Sequence, residues 1–304
     1  MIKILYLSRD ESRWVFRGPH YFQQQLAKAA TVHFVRRSES IRTILRQTPF
    51  RPDIIMLHMQ PLTKALEISG LDEIAIPKAI YIEDVHYRPQ ELVNFVLTND
   101  IHAVFCPYRE HFHNYLHQIA DRFEWLPHSV NPDVFRDWRL PKEIDLLLMG
   151  QVVPMYYPVR QAMLERFRNR KGFVYHGHPG YVDIADDDPR YYVGVRYAQE
   201  ISRSKIFLTC GSRWRLPLAK YFEAPACRSL LLAPGGPDLA ALGFRDGETY
   251  VECTQDDFEE KALELLKDPG TRERITQRGH EMVMERHTTR VRVREFLAAV
   301  ERYV

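Results

Sequence analysis

The chain is expected to fold as an α/β protein built from two consecutive doubly wound, Rossmann-like domains that face each other across a cleft. Three observations point there. Short apolar runs recur along the chain, each closed by a turn or a polar residue, and stretches of helical period separate them. The runs are continuously apolar rather than alternating, the pattern of parallel strands covered on both faces. A proline-bearing stretch without periodicity divides the 304 residues near the middle, and that length suits two domains of roughly 150 residues each.

The elements follow in order. Residues 2–7 form the first run, closed by Ser8, Arg9 and Asp10, and residues 18–30 carry a helical pattern before the apolar VHFV from Val32. Residues 40–47 suit a helix, DIIMLHM from Asp53 a buried strand, KAIYIED from Lys78 another, and AVFCPY from Ala103 continues the series. FEWLPHSVNPDVFRDWRLP then places Pro127, Pro132 and Pro141 in a stretch without clear period, the best linker in the chain. A second series comprises IDLLLMG from Ile144, FVYHG from Phe173, KIFLTCG from Lys205, SLLLAPGG from Ser229 and TYVEC from Thr249. Helices are expected between them at 159–168, 197–204, 218–227, 237–242 and 256–266. The tail from 271 to 304 reads as helical with a break near 287–289, where hydroxyl residues suit a cap for a final helix. The expected division is 1–125, a linker 126–141, a second domain 142–286, and a helix 287–304 that packs back towards the first domain.

Composition narrows the function classes. Hydrophobic residues make up 45% and charged residues 27%, ordinary values for a globular chain. The formal charge of +2 does not support a nucleic-acid footprint, so any anion site must be local. The opening MIKILYLSRDES is too short an apolar run for a leader or a membrane span, although peripheral membrane contact stays open. Cys106, Cys210, Cys227 and Cys253 are widely spaced, which indicates neither zinc nor a disulfide framework and suits reduced thiols in the cytoplasm. Oligomeric state is not readable.

In open α/β sheets ligands bind beyond the carboxyl ends of the strands. Gly150 stands at such an end and is followed by a loop and Arg160, so backbone can approach a phosphate while a guanidinium reaches it. GSRWRLPLAKYFEA, from Gly211, carries Arg213 and Arg215 and leads through Pro217 into a helix containing Lys220 and Glu223. Cations beside a helix N-terminus would stabilise a diphosphate, and Glu223 could accept hydrogen bonds from a ribose diol; a solvated helix face is the plainer alternative. YHGHPG places His176, Gly177 and His178 at another strand end, and Gly177 and His178 are candidates to line the donor pocket. Asp186, Asp187 and Asp188 read as a polar loop, and no metal site is expected there or at the histidines.

At this point the residues resemble a family. YAQEISRSKIFLTCGS, then KYFEAPACRSLLLAPGGPDLAALGFRDGETYVE, then DFEEKALELLKDPGTRERITQRGHEMVMERHTTRVRV are similar in order and spacing to the C-terminal domain of group-1 glycosyltransferases, especially the spore-maturation type. The match covers roughly a third of the chain. LPHSVNPDVF, from Leu126, is similar to the segment joining the two domains in that family. The resemblance implies the GT-B architecture, with a nucleotide-diphosphate sugar as co-substrate held mainly by the second half and no metal or other cofactor. It implies that Glu223 contacts the ribose, and it sets Lys220 where nearer relatives usually carry arginine. Arg215 stands where retaining members have a second glutamate, and Arg228 follows Cys227 where a glycine is customary, so the stereochemical course stays unassigned.

The first half supplies the acceptor side. Asp84 and His86, beside Glu83, fall at a strand end where a carboxylate or imidazole could deprotonate an acceptor hydroxyl, and His58 is a second base candidate. Asp84 capping the next helix and a surface-packed His86 are the plainer readings. Arg17, Gly18 and His20 lie in the first strand-to-helix loop, where related enzymes approach the acceptor or the transferred sugar. The expected function is metal-independent transfer of a sugar from a nucleotide-diphosphate donor, UDP-linked or other, to the hydroxyl of a saccharide, lipid-linked glycan or other acceptor in the cleft. A non-catalytic nucleotide-sugar-binding or partner protein and a sugar-nucleotide epimerase stay open as alternatives.

Overall fold

The computed structural model describes residues 1–58 and 66–304. Met59, the last residue of the run expected from Asp53, lies outside the described residues. The chain forms two compact units: unit 1 comprises residues 1–12, 19–127 and 290–304, and unit 2 comprises residues 13–18 and 128–289.

Unit 1 contains β1 (Lys3–Ser8), α1 (Gly18–Ala29), β2 (Thr31–Val35), β3 (Glu39–Ser40), α2 (Ile41–Gln47), β4 (Ile54–His58), β5 (Ile68–Ser69), β6 (Lys78–Tyr81), α3 (Pro89–Thr98), β7 (Ala103–Cys106), α4 (Arg109–Tyr115) and β8 (Phe123–Trp125). Six of the strands form one parallel sheet in the order β2-β1-β4-β6-β7-β8, and β3 pairs with β5 apart from it. The apolar runs become strands because their side chains bury on both faces: Ile4 and Tyr6 point one way, Leu5 and Leu7 the other, and all are fully buried. Ser40 starts α2 by accepting the Thr43 amide at 3.3 Å. The helix expected after Asp84 is α3, whereas α4 and the short β8 are not evident from the sequence.

Unit 2 contains β9 (Ile144–Met149), α5 (Pro158–Phe167), β10 (Phe173–His176), α6 (Gly194–Ser202), β11 (Ser204–Leu208), α7 (Lys220–Ala226), β12 (Leu230–Ala233), α8 (Leu239–Leu242), β13 (Val251–Glu252), α9 (Phe258–Lys267) and α10 (Pro269–Arg286). Its sheet is parallel in the order β10-β9-β11-β12-β13. The stretch after Pro127 is attached to this unit. Val130 pairs with the chain at Thr288, while Val134 and Phe135 are buried.

The tail breaks at His287 and Thr288, and α11 (Thr289–Val300) then returns to unit 1. There Val293, Phe296, Ala299 and Val300 join the core of β1, β4, β6 and β7. The Phe296 ring lies 5.0 Å from that of Phe105 and 5.5 Å from that of Phe22, so truncation to alanine would cost about 3–5 kcal/mol.

Candidate functional site

In unit 2 the carboxyl ends of β9 and β11 bring together residues far apart in sequence. Gly150 follows β9 with φ +117°, a conformation that side chains other than glycine's avoid. A Cβ there would lie 3.1 Å from Lys220 Cε and 3.4 Å from an Arg160 terminal nitrogen. The glycine therefore makes room for two cations. Its amide is not free for a phosphate, because it donates to His176 O at 2.9 Å. Its carbonyl accepts from the Tyr175 hydroxyl at 3.1 Å.

Arg160, from α5, is 2% exposed. It donates to Gln151 O and Cys210 O and lies over the Tyr157 ring, 4.2 Å from its centre. Its Nε and the Thr209 hydroxyl are buried with no hydrogen-bond partner among the described residues. Lys220 opens α7 and donates to the Tyr197 hydroxyl at 3.2 Å, which in turn donates to Glu223 at 3.0 Å. Burial pushes the Lys220 ammonium down to about 8, with Arg160 adding to it and Glu223 opposing. Burial likewise raises the Glu223 carboxyl, against the pull of Lys220 and Tyr197. Lys220, Tyr197 and Glu223 thus form one hydrogen-bonded chain, and Tyr197 was not singled out from sequence because a lone tyrosine on a helical pattern carries no signal.

The helix itself differs from expectation. It starts at Lys220 rather than at 218, leaves Pro217 in the preceding loop, and spans seven residues, so the side-chain cations rather than a helix dipole carry the positive charge. Arg228 adopts φ +55° and its amide bonds Pro225 O, so it closes the helix in the left-handed conformation a glycine would take.

His178 accepts the Gly180 amide on Nδ1 at 3.0 Å, which leaves its proton on Nε2. Burial, with Lys220 and Arg160 nearby, lowers it to about 4 and keeps the ring neutral. Gly177 is exposed beside it, and His176 pairs with Glu200 at 2.9 Å. Neither Arg213 nor Arg215 supplies one of the atoms nearest the Gly150 Cβ position. Arg213 is exposed over Trp214, and Arg215 donates to Gly235 O. Residues 13–18 pack on the acidic loop of the same unit: Arg17, buried, bonds Asp186 and Ile184 O. Asp188 pairs with Arg190. Among the described residues no three His, Cys, Asp or Glu side chains are grouped to hold a metal. The ring of Phe16 fills the space where a Gly18 Cβ would point.

In unit 1, the ends of β1, β4 and β6 carry a second set. The Tyr6 hydroxyl and His58 Nδ1 are 2.6 Å apart, and burial, with Arg9 nearby, lowers His58 to about 4. Burial raises the Asp84 carboxyl, opposed by His86, and lowers His86, opposed by Asp84. His86 Nδ1 lies 3.0 Å from His111 Nε2. Asp84 does not cap α3, whose N-cap is Arg88. Glu83, named from sequence only as their neighbour, is the more perturbed group: burial, then Asp84 and Glu11, push it up to about 8. The Tyr81 ring lies 4.7 Å from that of His58. His20, in the first turn of α1, is half-buried and has the Tyr21 ring beside it.

Residues 160–298 match the protein-family model described as glycosyl transferase-like, somewhat under half of the chain. No curated protein matches the sequence. Among solved structures, HepE of Anabaena in complex with UDP and glucose is similar with a TM-score of 0.65 at 9% identity, over 99% of this chain and 100% of that one. A glycosyltransferase from Rickettsia africae gives 0.64 at 11%, over 99% and 98%. A sucrose-phosphate synthase from Thermosynechococcus elongatus gives 0.66 at 11%, over 99% of each chain. The chain therefore has the GT-B α/β fold and carries a glycosyl transferase-like domain over residues 160–298.

Proposed function

We propose that the protein is a glycosyltransferase of the group-1 type, with the spore-maturation enzymes as its nearer kin, that moves a sugar from a nucleotide-diphosphate donor to a hydroxyl acceptor. The observation that carries this is the meeting of Arg160 and Lys220 at the side-chain-free space of Gly150, with Lys220 chained through Tyr197 to Glu223 and all four side chains within the matched residues. Lys220 faces a diphosphate as a point charge, and buried Arg160 holds the loop while adding positive potential from below. The unpartnered Arg160 Nε and Thr209 hydroxyl are buried polar capacity of the kind a ligand-binding site retains. Glu223, held by Tyr197, accepts from the ribose diol. UDP is the first nucleotide to test, since HepE was solved with it.

In transfer, the acceptor oxygen forms a bond to the anomeric carbon while the bond from that carbon to the diphosphate oxygen breaks. The leaving electron pair settles on the diphosphate, opposite the cations, and the acceptor proton passes to a base. Fixed cations do the work that a metal does elsewhere, so turnover is expected to persist in a chelator.

The test is a thermal-shift screen over UDP, GDP, dTDP and their sugars, because a ligand that binds only the folded state raises its melting temperature. A binder is then assayed for transfer with wild type and Glu223→Ala. Transfer that dies with the substitution supports the proposal. No shift with any nucleotide sinks the donor site, binding without transfer by the wild type indicates a non-catalytic binder, and an isomerised nucleotide sugar as product indicates an epimerase.

A further inference from the structure

The loop that leaves β9 at Gly150 carries at its tip a feature to which the donor-site assignment gives no role. Val153, Met155 and Tyr156 are 45%, 65% and 42% exposed, three large apolar side chains within four residues at the tip of the loop after β9. The tip is a built turn: the Tyr156 and Tyr157 amides both bond Val153 O, at 3.0 and 2.8 Å. The loop after β11 is tied to it, since the Arg213 amide donates to Tyr156 O at 2.8 Å and the Trp214 ring lies 6.2 Å from that of Tyr156. Single exposed apolar residues are ordinary, but an ordered cluster at a loop tip is not.

Charge indicates what covers it. Residues 151–159 carry no charge, and residues 209–219 carry Arg213 and Arg215 and no acid. Both arginines are exposed, and neither forms an ion pair with a carboxylate among the described residues. On the loop after β10, the strand beside β9, Tyr181 and Val182 are exposed as well, with exposed Asp183 and Asp187 following them in sequence. Aliphatic tips flanked by aromatic rings and unpaired guanidinium groups fit a membrane interface, where the apolar ends enter the acyl boundary and the cations meet anionic headgroups. Val153 and Met155 offer nothing to the hydroxyls of a saccharide.

We propose that this face of unit 2 docks on an anionic membrane surface. The proposal stands apart from the donor-site assignment. It is tested with the full chain by cosedimentation on phosphatidylcholine vesicles, with and without about one-third phosphatidylglycerol, at low and high salt. Binding is expected on the anionic vesicles only and is weakened by salt. Arg213→Gln and Arg215→Gln should each weaken it about fivefold. The Val153→Ser, Met155→Ser double variant should weaken it about tenfold while keeping wild-type melting and any nucleotide-induced shift. Absence of binding to anionic vesicles overturns the proposal, as does equal binding to neutral ones or binding untouched by the double variant. A dimer seen by light scattering and lost in that variant would assign the face to a second copy of the chain instead. A missing nucleotide shift in wild type bears on the donor site and leaves the vesicle result standing.

Discussion

Lys220→Arg changes one cation for another in the donor cluster, and the structure says how the two should differ. Burial sets the Lys220 ammonium at about 8, so in the empty site it is about 90% protonated at pH 7 and about 10% at pH 9. If the diphosphate is held by the charged form, its Kd should rise about tenfold over that interval. Arginine remains charged throughout, so the variant should bind with nearly the same affinity at both ends. Neither His178, neutral from about pH 5 upward, nor Tyr197, whose pKa burial raises well above the usual phenol value, titrates in this window. Lys142 does titrate near 8, but it donates to Ser204 O and Arg228 O away from the cluster, and it is common to both proteins. Isothermal titration with the best-binding nucleoside diphosphate at pH 7, 8 and 9 checks this. A flat wild-type Kd, or the same slope in both proteins, would refute the placement of Lys220 against the phosphates.

Further outcomes follow from other residues. Glu83→Gln should raise stability by about 3–4 kcal/mol at pH 7 to 8: the folded carboxyl sits near 8 and the unfolded one at 4.5, so its contribution is present below 4.5 and is lost as pH rises through 8. Denaturant melts should show that gain vanishing near pH 4, and a gain independent of pH would count against a buried neutral Glu83. Arg228→Gly should stabilise by about 0.5–1 kcal/mol in the same assay, because glycine relieves the positive φ while the half-buried, long pair with Asp137 at 3.8 Å contributes little. Gly150→Ala should leave the fold intact but weaken nucleotide binding at least tenfold, since its Cβ would meet Lys220 Cε at 3.1 Å in a strained backbone; unchanged affinity would show that the space is not used. Glu223→Gln, which keeps an acceptor for Tyr197, should bind the diphosphate alone about as well as it binds the full nucleotide, whereas wild type should prefer the nucleotide.

Much of the fold was legible because parallel strands announce themselves as apolar runs, and both series of runs became sheets. The short elements escaped for physical reasons. REHFHNY in α4 is rich in aromatic and imidazole side chains with weak helical preference, and FEW in β8 is three residues long beside Pro127, so neither shows a period. Strand-end logic singled out Gly150, Arg160, Lys220 and Glu223, which the fold brings together, yet gave the glycine an amide role that His176 O already occupies. Which of four cations converge was beyond it: Arg160 and Lys220 are sixty positions apart in sequence and meet only through the packing of α5 and α7 on one sheet end. Burial is also invisible in one dimension, and for that reason Glu83 looked like a mere neighbour of Asp84.

The return of α11 to the first sheet has a consequence for how the protein is made. Residues 19–127 of unit 1 are made before residues 128–289 of unit 2, yet Phe296 and Val300, which close the core of unit 1, are made after them. Until then Phe22 and Phe105 lack their covering ring, while unit 2, complete by Thr289, is free to fold. The unit begun before unit 2 is completed only after it, and a nascent chain stalled before residue 290 should be cut by protease within residues 19–127 while residues 128–289 resist.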